Sequence, residues 1–209
     1  MNGQTENVNT PAMGVFFYKG GIMPYYKTLC GKKCYLSPMS IESVDRYTEW
    51  FNDIEMSKNL VTISQMITRE GEQAFIDATI KNGKYIFDII DLENDIHIGN
   101  VGIFDIDHIN RTAELGIAIG DKLFWGKGYG TEALQLILDF CFNILNLYNV
   151  MLKYYEYNER GGRCYTKVGF KEIGRRRKAK IIAGKHFDIV HMDILAEEFT
   201  SPFVKKFFT

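Results

Sequence analysis

Residues 114–131 read Glu-Leu-Gly-Ile-Ala-Ile-Gly-Asp-Lys-Leu-Phe-Trp-Gly-Lys-Gly-Tyr-Gly-Thr, and they constrain the fold more than any other stretch. An apolar, strand-like run ends in a turn with Gly126, Gly128 and Gly130 on alternate positions, and a long amphipathic helix begins at once. Glycines there let the backbone reach left-handed dihedrals and approach a ligand with no Cβ between. The free N–H groups of the following helix's first turn, with the positive end of its dipole, would face a bound anion. Lys127 adds a mobile charge. The spacing matches neither the phosphate loop that ends in Gly-Lys-Ser/Thr nor the Gly-x-Gly-x-x-Gly dinucleotide turn.

With 209 residues, 46% of them hydrophobic, the chain is long enough for one well-buried core and short for two. The expected organisation is an N-terminal extension over 1–30, one folded domain over 31–199 and a C-terminal tail over 200–209. A net charge of -1 gives no global basic field, so nucleic acid is not an expected partner. Apolar runs are broken by polar groups every few residues, and the first thirty residues lack the order of a signal peptide; no membrane association and a cytoplasmic location are expected. Cys30, Cys34, Cys141 and Cys164 form no paired CxxC, and the four histidines are scattered, so neither a metal site nor disulfides are expected.

Periodicity then orders the elements. A short strand at 33–37 precedes a helix over 41–52 with Ser40 as its cap, and a polar loop leads to a second helix that begins at Thr68 and ends at Asn82-Gly83. Three strand-like runs at 84–91, 96–106 and 111–119 are joined by hairpin-length connections, an antiparallel meander. After the glycine turn come a helix over 129–145, a strand over 150–157 parallel to the one before that helix, a short helix over 159–167, and two last strands at 170–182 and 186–195. This is an α+β fold: one mixed, mostly antiparallel sheet with helices on both faces.

That order, with these residues in place, resembles the GCN5-related N-acetyltransferase (GNAT) family, over roughly residues 33–198. The family's acetyl-CoA loop, Gln/Arg-x-x-Gly-x-Gly/Ala, stands here as Trp125-Gly126-Lys127-Gly128-Tyr129-Gly130 and matches at its last two fixed positions. Downstream, Asn158, Tyr165 seven residues on and Gly169-Phe170 follow the family's second pattern. The segments 142–148 and 187–195 are similar to the subgroup of ribosomal-protein and spermidine acetyltransferases. Two departures stand out. Trp125 replaces a side chain that hydrogen-bonds phosphate, which leaves the task to backbone amides and Lys127. Gly161-Gly162 weakens the start of the short helix by about 1 kcal/mol per glycine relative to alanine.

The resemblance implies transfer of an acetyl group from acetyl-CoA, as cosubstrate, to a primary amine. The acceptor would be a protein N-terminus, a polyamine or another small-molecule amine. The turn from Trp125 through Tyr129 and Gly130 to Thr131 would cradle the diphosphate. The strand edge at Ile117, Ala118 and Ile119 would pair with the pantetheine arm where parallel strands splay, and a backbone N–H there would face the carbonyl oxygen that gains charge. Tyr165 occupies the family's position for the acid that protonates the departing thiolate; a phenol of pKa about 10 is a competent neutral acid at pH 7. The amine must arrive unprotonated, and Glu114 is the candidate base. It reads equally as a carboxylate that attracts a cationic substrate or sits in a salt bridge. Asn158 either orients water or the cofactor's amides or caps the helix behind it.

Other features are read more plainly. The basic run at 175–180 is a solvated ribbon near the substrate entrance; the subgroup resemblance implies that Glu49, Asp53 and Glu55 line a polyamine pocket, and a solvated helix face explains them equally well. An exposed last strand leaves pairing into a homodimer open. A fold relative that binds CoA without turnover, as sensor or scaffold, is the alternative to an enzyme.

Overall fold

The computed structural model describes residues 17–18, 21–22, 25–200 and 203–204. Most of the N-terminal extension, including Phe16 of its aromatic cluster, and most of the C-terminal tail lie outside the described residues. Strands β1 (Phe17–Tyr18) and β2 (Gly21–Ile22) pair with each other. The main body runs β3 (Leu29–Cys30), β4 (Cys34–Pro38), α1 (Val44–Asn52), α2 (Ile54–Ser57), α3 (Arg69–Lys81), β5 (Ile86–Asp91), β6 (His97–Asp107), β7 (Thr112–Ile119), α4 (Tyr129–Asn143), β8 (Asn149–Tyr155), α5 (Glu159–Val168), β9 (Lys171–Ile182) and β10 (Lys185–Leu195). β3 to β10 form one eight-stranded sheet in the order β3-β4-β5-β6-β7-β8-β10-β9. Only β7 and β8 pair in parallel; the other neighbours are antiparallel. This is the mixed sheet that the periodicity predicts.

Three local details differ from the sequence reading. Ser40 does cap, accepting the Glu42 N–H, but a 3-10 turn over Ile41–Ser43 comes before α1. The segment expected as a polar loop contains α2, capped by Asp53 through the Glu55 and Met56 N–H groups, and a 3-10 turn over Val61–Ser64. Those elements are one turn long, too short for a helical period to register. β3 extends the sheet by two residues inside the segment assigned to the N-terminal extension.

Helix α4 lies on one face of the sheet and buries Leu134, Leu136, Ile137, Leu138 and Cys141 against Leu36, Ile89, Val101, Leu115 and Val150. Full burial of one leucine-sized side chain contributes roughly 1.5–3 kcal/mol, so this interface dominates the core. Asp139 is also fully buried on α4 and accepts the N–H groups of Phe203 and Val204, each at 2.8 Å, which fastens those two residues to the helix.

On the opposite face, Val44, Tyr47 and Trp50 of α1 pack with Ile76 of α3 and Ile86 of β5. A buried polar network fixes α1 to the sheet. Asp88 accepts from the Ser40 N–H at 3.0 Å, from the Ser43 hydroxyl at 2.7 Å and from the Tyr47 hydroxyl. His97 lies 3.5 Å from the same carboxylate and donates from Nε2 to the Gly99 carbonyl at 2.9 Å.

Candidate active site

The parallel pairing of β7 with β8 covers only Thr112↔Asn149, Ala113↔Val150 and Glu114↔Met151. Beyond Glu114 the two strands diverge, and the last part of β7 faces an opening instead of a neighbour on that side. A cavity of about 300 Å³ fills the wedge. Ile117, Ala118 and Ile119 form its floor, and the turn from Trp125 to Thr131 and the start of α4 form one wall. Asn158, Arg160, Cys164 and Tyr165 belong to the α5 wall, while Met56, Asn59 and Leu60 close the side toward α2.

The glycine turn is shaped for an anion. Gly128 is the N-cap of α4 with φ +90°, and no side chain caps the helix, so its first N–H groups are left for a ligand. Gly126 has φ +71°, and a Cβ built there meets nothing within 4 Å, so the turn is open on its outer side. The Lys33 side chain reaches to 3.8 Å from the position of a Cβ on Gly128. It comes from the segment before β4, which Glu132 in the first turn of α4 holds by accepting three successive N–H groups, from Lys32 at 2.8 Å, Lys33 at 2.7 Å and Cys34 at 3.0 Å.

The cavity thus brings together Ile117, Ala118, Ile119, Trp125, Gly126, Gly128, Tyr129, Gly130, Thr131, Asn158 and Tyr165. Lys127 and Glu114 are not in its lining. Lys127 is exposed on the outside of the turn. Glu114 shares the face of β7 that carries Ala118, and it pairs with Lys153 of β8 at 2.9 Å. Asn158 accepts the Gly161 N–H at 3.0 Å, so it caps α5 while also lining the cavity. Tyr165 is 8% exposed and meets Tyr154 edge-on at 5.5 Å. Burial pushes its hydroxyl well above the usual phenol range, so it stays protonated. Cys164 has its thiol 3.4 Å from the Thr131 hydroxyl, and burial raises its pKa too.

Arg160 and Asn59 are among the lining residues that carried no sequence signal, and Trp125, which did, has partners its spacing does not show. The Trp125 indole N–H donates to the Ile119 carbonyl at 2.6 Å, and the Arg160 guanidinium lies 3.7 Å from the centre of the Trp125 ring. Asn59 holds its side-chain oxygen buried with no hydrogen-bond partner among the described residues. The expected acidic cluster is engaged elsewhere: Lys122 pairs with Asp53 and with Glu55, each at 2.6 Å. In the basic ribbon, Arg175 forks onto Glu172 and Lys180 lies 4.5 Å over the Tyr155 ring. Among the described residues no group of His, Cys, Asp or Glu could hold a metal ion, and no helix is long and apolar enough to cross a membrane.

Comparison with known proteins places this architecture. The family model for the acetyltransferase (GNAT) domain matches residues 33–171. The uncharacterized N-acetyltransferase p20 of Bacillus licheniformis is 28% identical over 178 residues, spanning 83% of this chain and 98% of the relative. The spermidine N(1)-acetyltransferase of Escherichia coli K12 is 27% identical over 147 residues, 68% of this chain and 78% of that enzyme. A likeness in fold extends to the spermidine N-acetyltransferase from Vibrio cholerae, solved in complex with CoA and spermine, at a TM-score of 0.72 and 23% identity over 80% of this chain and 98% of that one. The chain therefore belongs to the GNAT acetyltransferase family, and it is an acyltransferase with acetyl-CoA as its cosubstrate.

Proposed function

We propose that the chain transfers the acetyl group directly to a primary amine, the amine and the thioester meeting in the wedge between β7 and β8. The observation that supports this reading is that one cavity holds both an uncapped helix N-terminus, fit for a diphosphate, and a protonated phenol, fit to release a thiol. When bound, acetyl-CoA supplies an activated acyl group on sulfur. The chain's residues do the rest. The α4 amides fix the anionic end, and the exposed edge of Ile117, Ala118 and Ile119 offers backbone partners to an amide-rich arm. Tyr165 donates the proton to the leaving sulfur.

Glu114 acts on this reading through charge. It pairs with Lys153 on the β7 face opposite α4, and there it draws a cationic amine toward the wedge. Asn59 offers its unpartnered oxygen to the N–H groups of the incoming amine. A polyamine or a protein N-terminus meets these requirements, and acetylation of spermidine is what the names of the Escherichia coli and Vibrio cholerae relatives describe. The test is thiol release from acetyl-CoA against a panel holding spermidine, spermine and short peptides with free N-termini. Amine-dependent release that falls in Tyr165→Phe supports the reading. Tight CoA binding without turnover on any amine would make the protein a CoA-binding sensor instead.

A further inference from the structure

We propose that Arg160, laid on the Trp125 indole, is the side chain that binds the diphosphate of CoA, completing the α4 amide cradle from the opposite wall of the cleft. The inference rests on the acetyl-CoA site described above and adds a residue to it.

Trp125 is a fixed platform. Its only N–H is spent on the Ile119 carbonyl at 2.6 Å, and its ring packs against the cluster under α1, so it has no donor left for a phosphate. It does carry a π face. The guanidinium carbon of Arg160 sits 3.7 Å from the ring centre, a contact distance that requires the guanidinium to lie close to parallel with the indole. In that pose its N–H donors project sideways. Among the described residues none of them makes a hydrogen bond or an ion pair, whereas Arg163 one turn on is committed to Glu159 at 3.2 Å, and Lys122 and Lys153 are committed to carboxylates. Both Arg160 and Trp125 line the cavity, and Trp125 adjoins Gly126 at the head of the turn.

The guanidinium has unused donors, is partly stripped of water and lies across the cleft from the uncapped α4 N-terminus, while Glu55, whose charge reaches it, is itself paired with Lys122. Desolvation lowers its pKa, and the charge of Glu55 offsets only part of that shift. A diphosphate supplies two charges and the paired oxygens that a planar fork receives best. Lys167 also lines the cavity, but it lies two helical turns along α5, roughly 10 Å away, which separates it from this end of the turn.

The experiment measures equilibrium binding of CoA, dephospho-CoA and pantetheine by titration calorimetry to the wild type and to Arg160→Ala, Arg160→Lys, Trp125→Ala and the double Ala variant. Arg160→Ala is expected to weaken CoA and dephospho-CoA by the same factor, tenfold or more, and to leave pantetheine unchanged. Lysine recovers only part of the loss, because an ammonium does not stack as a planar fork. Trp125→Ala loses a similar factor, and the double variant is little worse than either single one, since the ring acts through the guanidinium. Equal CoA affinity in Arg160→Ala overturns the proposal. So does a loss confined to CoA, which would assign Arg160 to the 3′-phosphate, or an equal loss for pantetheine, which would make its role structural. Wild-type protein that binds none of the three ligands would refute the cofactor site itself, a result distinct from normal binding by the wild type and Arg160→Ala alike.

Discussion

A Cβ on Gly162 would lie 2.9 Å from the Tyr154 hydroxyl and 3.1 Å from its ring, so the bare backbone of α5 is the surface on which Tyr154 rests. Tyr154 in turn backs Tyr165. The glycine that weakens the helix start is what brings the two rings together. In an open helix, Gly162→Ala would add about 1 kcal/mol of stability. Here it must displace an aromatic ring, at roughly 1–3 kcal/mol. We expect a net loss of about 1 kcal/mol in urea unfolding and a lower kcat. A more stable variant with unchanged kcat would show that the rings move aside freely.

Tyr165→Phe keeps the ring contacts with Tyr154 and Phe170 and removes only the hydroxyl that carries the proton. It should cut kcat by roughly a hundredfold or more, within the range for general acid catalysis, with CoA affinity changed less than twofold. Because burial raises the Tyr165 pKa above its ordinary value near 10, ionisation of this group should not reduce wild-type turnover at any pH up to 10. A pH–rate profile whose basic limb is identical in wild type and variant, with equal kcat, would reduce Tyr165 to a packing residue.

Asp88 and His97 respond to acid in opposite directions. Burial holds His97 down to about 3 from the usual 6.5, so below pH 6.5 the unfolded chain binds a proton that the folded chain refuses, and stability falls as pH falls. Burial pushes Asp88 up to about 6 from the usual 3.8, so between these values the folded chain binds the extra proton, and stability rises as pH falls. The two effects offset each other between pH 6 and pH 4. Asp88→Asn removes the second and leaves the first. Its stability relative to wild type should drop by about 1.4 kcal/mol per pH unit across that window in urea unfolding. Parallel curves for the two proteins would mean that Asp88 titrates like a surface carboxylate.

Glu132 ties the segment before β4 to the head of α4. Glu132→Ala leaves three N–H groups to water and should cost about 1–2 kcal/mol, discounted from the value for buried charged hydrogen bonds because the Lys32 and Lys33 bonds are exposed. Freed of that anchor, Lys33 leaves the glycine turn, and CoA should bind several-fold more weakly. Thermal unfolding and calorimetry check the two effects separately. Unchanged CoA affinity in a destabilised variant would exclude Lys33 from the anion site.

What the chain announces in one dimension is what local periodicity controls. The meander from β5 to β7, the uncapped glycine turn and the Asn158-to-Tyr165 spacing are contiguous, so their pattern survives as text. The partners of Glu114 and Trp125 are not contiguous with them. Lys153 reaches Glu114 only because β8 pairs in parallel after a helix, and Arg160 reaches Trp125 only across the wedge. Neither register nor wedge width is encoded in spacing. The acidic residues Asp53 and Glu55 read as a candidate pocket because Lys122, more than sixty positions away, gives no hint in sequence that it will neutralise them.

The hold of Asp139 on Phe203 and Val204 makes those two residues part of the foundation of α4. Cutting the chain short of residue 203 would strip two hydrogen bonds from a buried carboxylate in the second half of α4, the helix whose first turn we propose as the anion's seat. Trimming the carboxyl terminus to tidy an expression vector would therefore be an active-site perturbation delivered from behind.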